Sequence, residues 1–354
     1  MSRSPARIGV VFNPNSKKNR KRPERFDALV RLVGDLGEVR RTNTVEEIDD
    51  VVEDMLERGV NLWVADGGDG AFHWLLNAAA RVVRARGRSE AIPPILPTRS
   101  GTVDFLAAKA NLQGGAEDLI AALVACARRG IDVPTIALDS LRLRGKRLDD
   151  GAEPFDRIGF ASAVAGVGQG FFERFYANGD PTARGILTVI SRILGSASLS
   201  TPGIALLPMP DGARAYAAPV FAPQQLDVWL DGKRVDLEAF RAVNIGSINL
   251  DLAGVFRIFP YAAEPGVLHA LVGDPGVFDV MSNLPRMAIG RALASPRVIE
   301  RAVRQMRVVA REGERIDPVI DGELYFGLSA LDIELGAPVQ ILCPTDPDRP
   351  NRRN

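Results

Sequence analysis

The chain has 354 residues, 46% hydrophobic and 25% charged, which is ordinary globular composition and enough for two domains with substantial cores. Its formal net charge is zero, so no global field draws it to nucleic acid or to anionic lipid, and any such attraction has to come from local patches. Two distant cysteines, Cys126 and Cys343, argue against a disulfide framework and fit a reducing compartment, while two histidines, His73 and His269, are too few for a histidine-based metal site. No run approaches the ~20 apolar residues of a spanning helix. The polar start, Met1 to Arg7, leads into an apolar stretch too short for a signal-peptide core. The expectation is a soluble or peripheral protein.

Ile8 to Phe12 reads as a first buried strand, ending in Asn13-Pro14-Asn15-Ser16 and the basic run Lys17 to Arg22. A helix is predicted from Pro23 to Leu36, with Phe26, Leu29, Val30 and Val33 on its apolar face. A second helix opens on a Thr44/Glu47 capping box and stops at Gly59. Asn61 to Asp66 is a buried strand that ends in Gly67-Gly68-Asp69-Gly70 and passes into a helix bearing Phe72, Leu75, Leu76, Ala79 and Val83 on one face. Ile92 to Leu96 is a further short strand, followed by Pro97 to Thr102 and a helix into Ala110. Alternating strands and helices predict a Rossmann-like α/β domain with a largely parallel sheet, whose ligands lie beyond the carboxyl ends of its strands.

Beyond Ile131 short apolar or alternating segments, such as Val133 to Leu143, Gln225 to Leu230, Arg241 to Ile245 and Val267 to Val272, are separated by Gly, Pro and Asp turns. That pattern predicts a mainly antiparallel β domain. Thr201 to Pro223, rich in Pro, Ala and Gly, reads as a long loop or edge excursion. Residues 296–311 read as an amphipathic helix with Ile299, Ala302, Val303, Met306 and Val309 on one side and five arginines on the other. The predicted domains are 1–132 for nucleotide and 133–323 for substrate, with about 324–345 returning to the first.

The Gly67-Gly68-Asp69-Gly70 turn has the chemistry of a phosphate cradle. Glycines let backbone approach a ligand, and the free amides opening a helix favour an anion by about 0.3–1 kcal/mol. Asp69 is the exception, because a carboxylate there repels phosphate unless a metal lies between them or it handles a proton. Ser100-Gly101-Thr102 is a second strand-to-helix loop, so two helix termini can converge on one polyphosphate, with Thr102 as either a cap or a phosphate ligand. Asn13 and Ser16 fit an Asx-type turn, and Lys17 to Arg22 fit either a solvated loop or a site for phosphates or anionic head groups. Asp321-Gly322-Glu323 fits a hairpin turn; brought near the nucleotide, Glu323 is a candidate general base.

Taken together, Asn13-Pro14-Asn15-Ser16, Gly67-Gly68-Asp69-Gly70, Pro97 through Phe105 and Asp321-Gly322-Glu323 resemble, in the same order, the diacylglycerol kinase catalytic family with its bacterial lipid kinases and sphingosine and ceramide kinases. The Gly-Gly-Asp-Gly element is shared with NAD kinases and phosphofructokinases. The resemblance implies a two-domain lipid kinase using ATP and Mg²⁺, with ATP phosphates on the first-domain loops and the lipid between the domains. Asn13, Gly67, Gly68, Gly70, Gly101 and Thr102 then map onto nucleotide-binding positions, Asp69 onto a residue required for phosphoryl transfer, Glu323 onto the base that activates the acceptor hydroxyl, and Asp132 onto an aspartate near the domain junction. The implied setting is peripheral, at the cytoplasmic face of a membrane, with a lipid substrate, no nucleic acid, and room for a homodimer.

The chain departs from that pattern at several points. The family's threonine after Gly-Gly-Asp-Gly is Ala71; the Gly-Thr-X-Asn-Asp-Phe loop lacks its asparagine; Lys17 follows Ser16 where the family often has glycine; and Glu264-Pro265-Gly266 replaces an Asp-Asp-Gly turn tied to a structural metal in some members. A kinase of the NAD kinase type and a catalytically silent binding module are the competing expectations.

Overall fold

The computed structural model describes residues 5–87, 91–101, 104–149, 151–180, 182–199, 212, 215–252, 254–345 and 347. Thr102, Val103 and most of 201–214 lie outside the described residues. The chain divides into two compact units, Met1–Leu138 with Pro338–Asn354, and Asp139–Ala337.

In the first unit the five residues of Ile8–Phe12 are all buried, as a strand covered on both faces requires. The sheet runs, in order, Gly37–Arg41, Ile8–Phe12, Leu62–Asp66, Ile95–Pro97, Val339–Leu342 and Thr135–Leu138. Neighbours pair parallel as far as Val339–Leu342, and only the last pair is antiparallel. The connection leaving Ile8–Phe12 goes to one side and that leaving Leu62–Asp66 to the other, so the order reverses between these strands. This is where an open α/β sheet leaves a crevice for ligand.

The strand Gly37–Arg41 was not predicted, since four of its five residues are glycine or charged. It is an edge strand, where charge is tolerated and discourages pairing with other chains. Helix Arg25–Val33 buries Leu29 and Val33 as expected, but leaves Val30 exposed and turns Arg25 inward. The predicted capping box does not form: the helix is Glu47–Glu57, with Glu46 at its N-cap and no side-chain cap, and the Glu47 carboxylate instead accepts the Asn43 N–H of the preceding loop at 2.7 Å.

Pro338–Asn354 falls in the first unit, where Val339–Leu342 pairs with Ile95–Pro97 and Thr135–Leu138. Strand Leu328–Leu335 stays in the second unit because it pairs on both edges there, with Gln305–Ala310 and Leu141–Arg147. Thr135–Leu138 stays in the first because Val339–Leu342 pairs with it.

The second unit holds two six-stranded antiparallel sheets and a small hairpin, Leu250–Leu252 with Phe256–Ile258. Strand Leu226–Leu230 alternates buried and half-buried, the mark of a sheet with one packed face. The helix predicted over 296–311 is instead two strands, Val298–Val303 and Gln305–Ala310. Its residues satisfy both periods, and Val298, Ile299, Val303, Val308 and Val309 are β-branched; Val298–Val303 pairs with Leu268–Gly273 at a sheet edge, and Gln305–Ala310 is paired on both sides, with Leu226–Leu230 and Leu328–Leu335. Three helices went unread: Val167–Asn178, Ala183–Leu199 and Val277–Ala288. The first contains two glycines and the last an internal proline, which weaken a helical pattern in sequence. Where the stretch before Pro223 is described, Ala217 and Val220 pack on Val189 and Ile193.

Candidate active site

Below the loops of the first unit lies a buried charge cluster that the sequence did not reveal. Asp66 ends its strand with no solvent exposure, and Arg25, 3% exposed, grips both its oxygens at 2.7 and 3.0 Å. Thr98 Oγ1 and Ser100 Oγ donate to Asp66 Oδ1 at 2.8 and 3.1 Å, and Asn19 Nδ2 donates to Oδ2 at 3.1 Å. Arg25 Nε also meets Glu117 at 2.8 Å. Burial opposes the Arg25 charge, yet the two carboxylates more than offset it and raise its pKa.

Above this cluster the two glycine loops meet. A Cβ on Gly101 would stand 2.4 Å from the Gly68 Cα, and one on Gly68 would stand 2.8 Å from the Gly101 Cα. Neither distance is possible for real side chains, so this approach requires glycine at both positions. Ser100 N–H donates to Gly67 O at 3.2 Å and reinforces it. A Cβ on Gly67 would lie 2.3 Å from that of Ala71, which places the family's missing threonine position directly against the turn. Gly70 lies in the first turn of helix Asp69–Ala85.

Asp69 does not simply face a vacant cradle. Its carboxylate accepts the N–H groups of Phe105 and Leu106, both at 3.1 Å, and so caps the helix Phe105–Lys109 that follows the second loop. Asn13 forms the Asx turn, accepting the Asn15 N–H at 2.9 Å, and its own N–H donates to Asp66 O at 3.0 Å. Thr102 is outside the described residues. Asp104, in the left-handed region at φ +51°, accepts the Gly101 N–H at 2.8 Å and faces Lys18 Nζ at 3.4 Å. Burial pushes its carboxyl up despite these partners. Lys18, Lys21, Arg22 and Arg99 line a cavity of about 200 Å³ beside these loops, a cationic setting suited to phosphate. The basic run thus borders the loops rather than standing apart from them.

In the second unit Asp321 and Gly322, at φ +53° and +91°, turn the hairpin between Val319–Ile320 and Glu323–Leu324. The Asp321 carboxylate accepts three successive backbone N–H groups, from Phe160, Ala161 and Ser162, at 3.0, 2.9 and 3.1 Å. Asp-Gly gave the turn in sequence, but nothing there announced this long-range tie. Glu323 is half-buried between two phenols. Tyr176, whose hydroxyl donates to Gly322 O, is pushed up to about 12 by burial and then by the Glu323 charge. Tyr325 is likewise pushed up to about 12, first by burial, with Glu323 and Asp321 adding to it.

The second unit also contains a cavity of about 280 Å³ walled by hydrocarbon, including Phe171, Phe172, Phe256, Phe259, Leu271 and Leu284. Few polar groups reach it. Asn244 Oδ1 is buried there with no hydrogen-bond partner among the described residues. Glu300 is held by the Leu293 N–H and lies 3.1 Å from His269 Nε2, while His269 Nδ1 accepts the Tyr261 N–H at 3.2 Å. Among the described residues no group of three or more His, Cys, Asp or Glu side chains is placed to hold a metal, and no helix is long and apolar enough to cross a membrane.

These features define a nucleotide-type α/β unit joined to an antiparallel β unit. Residues 7–136 match the diacylglycerol kinase catalytic domain, the family whose motifs this segment resembles. A solved diacylglycerol kinase from Bacillus anthracis str. Sterne shares the fold with a TM-score of 0.56 and 10% identity, covering 97% of this chain and 98% of that one. A candidate diacylglycerol kinase from the same strain gives 0.62 at 12% identity, covering 95% and 96%. Compared with curated proteins by sequence, the chain matches none.

Replacing Arg25 with Met leaves Asp66 charged, buried and unpaired, and is expected to lower stability by about 3–5 kcal/mol. Denaturant titration checks this. Asp321→Ala strands three N–H groups and should lower stability by at least about 2 kcal/mol, whereas Ser329→Ala, at an exposed site, should change it little.

Proposed function

We propose that the chain is an ATP-dependent kinase that phosphorylates a hydroxyl of a diacylglycerol-, sphingoid- or ceramide-type lipid at a membrane surface. The observation that carries the lipid assignment is the hydrocarbon-walled cavity of the second unit. A soluble dinucleotide placed there would leave its charges and hydroxyls unpaired, while an acyl or sphingoid chain gains about 0.8 kcal/mol per buried methylene.

On this reading the backbone at Gly67, Gly68 and Gly101 receives ATP phosphates, because the absent side chains leave the amides open to an anion. The residues also fit Mg²⁺. Asp69 would offer Mg²⁺ a hard carboxylate oxygen at the mouth of the two glycine loops, the ligand type this ion takes in phosphoryl-transfer sites. When bound, Mg²⁺ neutralises charge on the transferring phosphoryl group. Glu323 takes the proton of the lipid hydroxyl as its oxygen bonds to the γ-phosphorus; the bond to the bridging oxygen breaks and ADP leaves. Tyr176 and Tyr325 stay protonated and bound the Glu323 carboxylate.

Asp69's role as a helix cap supports a second reading, in which the chain binds nucleotide without transferring phosphate. Labelled ATP and Mg²⁺ incubated with diacylglycerols, ceramides, sphingoid bases and NAD separate the two. Lipid phosphorylation is expected, and conversion of NAD alone would replace the lipid assignment. Asp69→Asn and Glu323→Gln should each lower turnover by about 10²-fold or more with the fold retained. Full activity in both would remove their roles. Gly101→Ala should weaken ATP binding by about tenfold or more by forcing the two loops apart.

A further inference from the structure

Helix Val277–Ala288 is apolar on opposite sides. Val280, Leu284 and Met287 follow helical spacing and line the hydrocarbon cavity. Phe278, and Ile289 just past the helix end, lie on the other side at 64% and 59% exposure, flanked by exposed Met281. Val255, exposed at the tip of the Leu250–Leu252 and Phe256–Ile258 hairpin, extends the apolar surface. Single exposed apolar residues need no explanation, but a helix apolar on both sides has two partners to find.

The charges around this face name the second partner. Arg257 lays its stem across Gly290, where an added Cβ would lie 3.2 Å from its Cδ, and so stands beside Arg291. Both guanidiniums border the cavity and are exposed, and among the described residues neither has a hydrogen-bond or ion-pair partner. From Gly276 to Arg291 the chain carries one carboxylate, Asp279, and it is occupied by the Gly276 N–H at 2.8 Å and the Ser295 hydroxyl at 2.7 Å. A second copy meeting this face across a two-fold axis would set these arginines against each other. An anionic bilayer neutralises them and buries Phe278 and Ile289 at the level of the head groups.

We propose that Phe278, Met281, Ile289 and Val255, with Arg257 and Arg291 beside them, form the surface by which the chain docks on an anionic bilayer. Helix Val277–Ala288 thereby carries the cavity wall on one side and the bilayer contact on the other. This names the membrane contact of the lipid-kinase reading and rests on it only for the identity of what enters the cavity.

The test is co-sedimentation of the full chain, without ATP, with vesicles of phosphatidylcholine alone and of phosphatidylcholine with phosphatidylglycerol. Binding to the anionic vesicles is expected, weakening as salt rises. The double variant Phe278→Ser, Ile289→Ser should lose about tenfold or more in vesicle affinity. Arg257→Gln and Arg291→Gln should each lose about fivefold, on anionic vesicles only. Both side chains of the serine variant are exposed, and thermal melting verifies its fold. Absence of wild-type binding, unchanged binding in the serine variant, or a dimer that this variant dissolves would each overturn the proposal. Vesicle binding without phosphorylation of any lipid would uphold the docking surface and defeat the kinase reading instead.

Discussion

A carboxylate placed at the end of a central strand, out of reach of water, has to be paired, and Asp66 is paired in a way that organises the whole phosphate-facing end of the first unit. Arg25 fixes the helix after the basic run, Asn19 fixes the run itself, and Thr98 and Ser100 fix the loop after the neighbouring strand. A buried ion pair adds little net stability compared with a well-packed apolar alternative, but breaking it is expensive. Its contribution here is placement: three segments distant in sequence from Asp66 are held to its one pair of oxygens. The glycine-to-glycine approach of the two loops lies directly above that anchor, where a shift of an ångström would either open the cradle or make the backbones collide.

The same device recurs with other aspartates. Asp69 holds the helix beginning at Phe105, Asp104 holds Gly101, and Asp321 holds three consecutive amides of the 160–162 turn. Each satisfies backbone donors that a loop cannot satisfy by itself. For Asp69 this sharpens the puzzle posed by its acidity in a phosphate cradle. The carboxylate is not simply aimed at a ligand; it is part of the scaffold that sets the second loop's geometry. A scaffold role does not exclude the proposed metal-facing role, because a rigidly held carboxylate makes a better-placed ligand.

The first domain was legible in the sequence because its signals are local. Buried runs such as Ile8 to Phe12 end at glycine or Asn-Pro turns, and those turns make up the candidate site. What escaped was set by partners far away in sequence. Arg25 reads as one more surface arginine until Asp66 is found beneath it, and Gly37–Arg41 reads as a loop until a strand edge is found to receive it. Over 296–311 the same apolar residues satisfy a period of 3.6 as well as a period of 2, and the presence of two neighbouring strands decided the matter. The mainly antiparallel character of the second unit is legible from its turns, but the cavity there is walled in part by helices whose pattern the sequence hides.

Those helices also bear on how a chain of zero net charge would engage a charged surface. With no long-range field to draw it in, attraction acts only within about a Debye length of ~8 Å, so the few cations that matter must lie at the contact itself. Arg257 and Arg291 satisfy that condition: neither is held in an ion pair among the described residues, although Asp251 stands opposite Arg257 across the hairpin. Two arginines and a few exposed apolar side chains give a weak, reversible attachment rather than an anchor. On the proposed lipid-kinase reading, in which the enzyme takes a lipid and releases a more highly charged one, such attachment would have an advantage. A product bearing a new phosphate is expelled from a hydrocarbon-walled cavity by the cost of burying that charge, and a loosely docked protein can then leave with the site cleared.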